Sequence, residues 1–141
     1  LALSAEGARQ FAPLLKAQRA QSADWSEFVR AAIGAYFLFL SDAHKTWLAR
    51  RPPEEIVPHV HGETPEMAAV FNEVREAIVE EIAMGRAPAA DPDYVAAACI
   101  AIARDVGERM LTRRPIDTQG ATEFAVAMIH GGLQGLPQSE A

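Results

Sequence analysis

Apolar residues recur at helical spacing through most of this chain, and no stretch alternates with the period of a strand. The clearest run covers residues 25–40. Trp25, Phe28, Val29, Ala32, Ile33, Tyr36, Phe37 and Leu40 follow the i, i+3, i+4, i+7 rule, and Ala35, Leu38 and Phe39 make the opposite face apolar in the second half. A helix that is apolar on both faces belongs in the centre of a fold. Residues 1–20 predict a helix before it, with Ser4 as N-cap, Glu6 in the first turn and an apolar edge of Leu3, Phe11, Leu14 and Leu15. Ser41 and Asp42 predict either the end of the central helix or the cap of a short one holding His44, Trp47 and Leu48. Arg50-Arg51-Pro52-Pro53 then forms a hard stop. Residues 54–65 are irregular. Residues 66–84 are amphipathic, with Met67, Val70, Phe71, Val74, Ala77, Ile78 and Ile82 inward, acids outward, and Gly85 as C-terminal stop.

The chain closes with a helical hairpin over residues 91–136. Asp91-Pro92-Asp93 supplies an N-cap, a proline at the first helical position and an acid in the first turn, each suited to the unpaired N–H groups there. Residues 94–103 carry no charge; Arg104, Asp105, Glu108 and Arg109 then make the helix amphipathic up to Arg113-Arg114-Pro115. The last helix starts at Asp117. Ala127, Gly131 and Gly135 recur every fourth residue, a small-residue face that admits a close helix neighbour, flanked by Phe124, Met128 and Leu136. So apolar a hairpin predicts a packing surface for a partner chain as well as for its own core. The pattern predicts one all-α domain over residues 1–141, an antiparallel bundle of about six helices.

Composition narrows the function. Half of the 141 residues are hydrophobic, enough for a real core. The single cysteine, Cys99, excludes an internal disulfide framework and suits a reducing cytoplasm. No apolar stretch is long enough to span a bilayer, no signal peptide is evident, and the missing initiator Met implies residues upstream. The net charge of −6 argues against these residues being a nucleic-acid contact. The charge is uneven: seven Lys/Arg face four Asp/Glu through Pro52, and six face fifteen beyond it.

Catalytic constellations are missing. There is no Glu-x-x-His, His-Glu-x-x-His, Cys-x-x-Cys, phosphate-cradling Gly loop or Gly-x-Ser-x-Gly elbow, so neither an enzyme nor a cofactor is expected. His59 and His61, with Glu55 and Glu63, are weak metal candidates that lack a fixed third ligand. Arg104 and Asp105 point to solvent, pair across an interface or line a pocket. Tyr36, Phe37, Trp47 and Phe71 come from three helices that could surround one cavity, although aromatic stripes at this spacing also build plain cores. Ile33, Leu40, Val74, Ile78, Cys99 and Ile102 complete the candidate ligand lining. Candidate interface residues are Val106, Met110, Phe124, Ala127, Met128, Gly131, Gly132 and Gly135.

Three stretches resemble the C-terminal ligand-binding and dimerisation domain of the tetracycline-repressor (TetR) family of transcriptional regulators. They are the aromatic-rich helix 25–40, Val79-Glu80-Glu81-Ile82-Ala83-Met84-Gly85-Arg86 followed by Asp91-Pro92, and Arg114-Pro115-Ile116-Asp117 followed by Ala127-Met128-Ile129-His130-Gly131-Gly132-Leu133. The resemblance implies a homodimer joined as a four-helix bundle through the last two helices, and a small-molecule pocket among the middle helices. It also implies coupling to an N-terminal helix-turn-helix that binds operator DNA. That motif is absent here, so residues 1–20 would be the helix connecting to it. The aromatic and aliphatic lining points to a largely apolar effector. A stand-alone helical interaction module without a cavity is the competing reading, and a small all-α enzyme is a distant third.

Overall fold

The structure, a computed structural model, describes residues 5–50 and 65–137. Among these residues it is all-α, with five helices and no strand: α1 Ala5–Gln21, α2 Trp25–Arg50, α3 Pro65–Ala83, α4 Pro92–Leu111 and α5 Thr118–Gln134. The count differs from the expected six because α2 does not break at Ser41-Asp42. Ser41 is buried inside the continuous helix, and Thr46 Oγ1 donates to the Asp42 carbonyl at 3.0 Å within it. The propensity cost of Ser or Asp inside a helix is below about 1 kcal/mol. Burying Leu40 in the core outweighs that cost.

The helix ends follow local chemistry. Asp24 caps α2, accepting from the Glu27 N–H at 2.9 Å, and the Glu27 carboxylate reaches back to the Ala23 N–H at 2.6 Å. This is a capping box shifted by one residue at its return bond. At the end of α3, Gly85 has φ 75°, with its N–H on the Ile82 carbonyl and the Arg86 N–H on that of Glu81. That pair of bonds is a Schellman turn, which needs the left-handed residue glycine supplies. Asp91 caps α4 through the N–H groups of Asp93 and Tyr94, with Pro92 in the first turn. Asp117 caps α5 through the Gly120 N–H at 2.8 Å.

In the bundle, α1 lies along α3, α2 crosses both α4 and α5, and α3 packs on α4. Phe37, Leu15, Leu40 and Ile78 are the largest fully buried side chains. Arg19 ties α1 to α3 through Glu73 at 3.1 Å and Glu80 at 2.8 Å, Arg30 ties α2 to Glu123 of α5, and Arg75 ties α3 to Asp93 at 2.6 Å. Arg19–Glu73 is part-buried, while the exposed pairs of Arg30 and Arg75 contribute at most about 1 kcal/mol each; all of them fix register. Glu81 differs. Its buried carboxylate accepts from Arg86 Nε at 2.8 Å, with Arg86 Nη2 in ion-pair contact at 2.8 Å, and from the first backbone N–H of α2, on Trp25, at 3.4 Å. No helix among the described residues is long and apolar enough to cross a membrane.

Candidate ligand cavity and exposed helix face

A partly enclosed cavity of about 450 Å³ lies between the first four helices, with Ile129 of α5 behind it. Its size falls within the roughly 300–1,000 Å³ typical of small-molecule sites. α1 contributes Phe11 and Leu15; α2 contributes Trp25, Phe28, Val29, Ala32, Ile33 and Tyr36. Met67, Val70, Phe71 and Val74 of α3 face them, and α4 closes the wall with Ala97, Cys99, Ile100, Ala101, Ala103 and Arg104. The wall joins large rings from α1, α2 and α3 with three alanines of α4, and small residues beside large ones leave volume unfilled. Phe11 and Tyr36 meet edge to face at 5.7 Å, and Trp25 and Phe28 are tilted at 6.2 Å.

The polar groups of the wall are few. The Trp25 indole Nε1 is buried and has no hydrogen-bond partner among the described residues. Burial, reinforced by nearby Glu108, raises the Tyr36 hydroxyl to about 12, and burial alone raises the Cys99 thiol to about 12. Both are therefore protonated across the physiological range. Arg104, half-exposed, pairs with its neighbour Asp105 at 3.4 Å. Of the three expectations for Arg104 and Asp105, two hold within this chain: both reach solvent, and Arg104 lines the cavity.

Ile33, Tyr36, Phe71, Val74 and Cys99, expected in the lining, all stand there. Phe37, Leu40 and Ile78 do not; they are wholly buried in solid core, with Phe37 and Leu40 packed on Gly107. Ile102 is also outside the lining, partly buried and packed against the core. The cavity thus sits beside the N-terminal half of α2, not the C-terminal half that holds Leu40. The Trp47 side chain, and His59 and His61, lie outside the described residues. The described residues contain no cluster of His, Cys, Asp and Glu fit to hold a metal ion. Trp25, Phe28, Phe11 and Leu15 were legible as apolar stripe residues, but nothing in a single stripe distinguishes a wall from a filled core.

A second feature lies on α5. Phe124 and Met128 of α5 and Leu136 just beyond it are 55%, 50% and 40% exposed, and Ala127, Gly131, Gly132 and the C-cap Gly135 are exposed with them. A Cβ on Gly131 or Gly132 would meet nothing within 4 Å. Val106 is half-buried and lines a groove with Phe124 and Arg109. Met110, also expected at the interface, is 4% exposed and packed in the chain's own core, and it borders the same groove. Comparison with protein-family models, with curated proteins and with solved structures yields no match.

Proposed function

We propose that this chain is the effector-sensing and dimerisation domain of a transcriptional regulator resembling the tetracycline-repressor family. The observation that carries the reading is the aromatic cavity of about 450 Å³ beside a terminal hairpin whose last helix leaves an apolar stripe uncovered. The cavity takes a small, largely apolar effector, and the stripe takes a second copy of the chain by two-fold pairing of the same patch. An effector that favours one arrangement of α1 to α4 shifts the dimer between DNA-competent and incompetent states. α1, which lines the cavity through Phe11 and Leu15, transmits the shift to the helix-turn-helix that the resemblance implies before it. Operator DNA is contacted there and not by this acidic domain.

Native mass spectrometry of the 141-residue chain tests the reading. A dimer mass, with or without a small adduct, is expected; a monomer at all concentrations would remove the dimerisation half.

A further inference from the structure

We infer that the cavity takes a monocarboxylate with an apolar body, the carboxylate held at the rim by the Arg104 guanidinium. The inference deepens the ligand-sensing reading above and rests on it.

Arg104 is the one charged residue among those that line the cavity. Its side chain is half-exposed, so the guanidinium is open to solvent and to a bound group alike. Its charge is also felt within the wall. It lowers the Tyr36 hydroxyl against the upward push of burial, and Tyr36 lines the same cavity.

The chain makes little use of that charge. Nε stands 3.4 Å from Asp105 Oδ1, longer than the roughly 2.7–2.9 Å of a charge-assisted hydrogen bond. Adjacent residues of a helix do not face each other, and an exposed pair of this kind is weak. A carboxylate tethered to a body inside the cavity stands differently. Beside an apolar wall opposite charges attract more strongly than in water, and the planar guanidinium can offer two parallel N–H groups to its two oxygens.

The neighbouring acids limit the occupant to one negative charge. Asp105, next in the helix, and Glu108, one turn on, both act on Tyr36 although neither lines the cavity, and they would repel a dianion such as a phosphate monoester. An ammonium ligand would face Arg104 with no acid in the wall to receive it.

Three matched probes test this by NMR titration near neutral pH: naphthylacetic acid, its primary amide, and naphthylethylamine. Methyl signals of Ile33 and Ile100, both in the lining, place each probe in the cavity. The acid should bind about tenfold more tightly than the amide, and the amine more weakly than either. Arg104→Gln should abolish the acid's advantage while amide affinity is retained. Lys16→Gln, the same loss of charge at an exposed residue outside the lining, should preserve that advantage. Asp105→Asn, which frees the guanidinium, should tighten the acid and leave the amide unchanged. The last result reports on Arg104 in its native form even if Arg104→Gln fails to fold. Equal affinity of acid and amide, or an acid unaffected by both Arg104→Gln and Asp105→Asn, overturns the role of Arg104 and leaves the cavity reading standing. Binding of none of the three overturns the cavity reading and this inference together.

Discussion

A Cβ added to Gly107 would stand 2.6 Å from Cδ1 of Leu40, closer than such atoms approach, and 3.2 Å from Cε1 of Phe37. The α2–α4 crossing is therefore built on the absence of a side chain at one position of α4. Leu40 and Phe37 are 1% and 0% exposed, so any shift must be taken up inside the core. Gly107→Ala sets a helix-propensity gain of about 1 kcal/mol against overpacking of about 1–3 kcal/mol, and a net loss of stability is expected. Gly107→Val should lose more. Urea unfolding of the two variants checks this; stability equal to the parent chain would show slack at the crossing.

The Glu81 carboxylate is the one acid buried among the described residues, and it joins the Schellman turn of α3 to the start of α2. Glu81→Gln keeps its shape and removes its charge. Hydrogen bonds to charged groups contribute about 1.5–3 kcal/mol, but Arg86 is 43% exposed and can turn to water. The expected loss is therefore about 1 kcal/mol. A double-mutant cycle with Arg86→Ala measures the pair, and a coupling of zero would mean that the contact is incidental.

The local signals were the legible ones. Asp91-Pro92 and Asp117 announce helix starts, and Gly85 a helix end, because capping depends on a few neighbouring residues. Ser41-Asp42 misled for the opposite reason: burial of Leu40 and Ser41 by distant parts of the chain overrode a weak local preference. The cavity was legible in part. Helical spacing told that Ile33, Tyr36, Phe37 and Leu40 face inward, but not whether each meets an atom or a void. That depends on what stands opposite. Tyr36 and Phe71 line the cavity together with the small Ala97 and Ala101, whereas the space over the bare backbone of Gly107 is filled by Leu40 and Phe37. That the Trp25 indole finds no acceptor among the described residues is a property of the folded chain alone.

Cys99 and Tyr36 set a pH dependence at the alkaline end. Burial raises the thiol from 9.0 to about 12 and, with Glu108 adding to it, the phenol from 10.0 to about 12. A raised folded-state pKa contributes stability that is fully present below the unfolded-state value and is lost as pH rises towards the folded one. Thermal stability should therefore hold to about pH 9 and decline towards pH 12. Cys99→Ala should flatten the lower part of that decline. The same burial leaves Cys99 unreactive to a thiol reagent at neutral pH until denaturant is added; prompt labelling of the folded chain would contradict it.

Gly131→Leu separates the dimer from the fold. In a single chain a Cβ at Gly131 meets nothing within 4 Å, and the residue is exposed on α5 with Phe124 and Met128. A leucine there should leave the monomer folded and, by replacing glycine within a helix, slightly favour its helix by less than about 1 kcal/mol. Against a second copy the outcome reverses. If the small-residue stripe of Ala127, Gly131 and Gly135 lets two α5 helices approach closely, the added side chain wedges them apart and dimerisation should weaken at least about tenfold, or roughly 1.4 kcal/mol. Sedimentation velocity at low concentration reads the association, and circular dichroism confirms that the helices persist. A variant that keeps the parent's sedimentation coefficient would move the interface off this face. Phe124 and Met128, half-exposed on the same helix, would then need another partner.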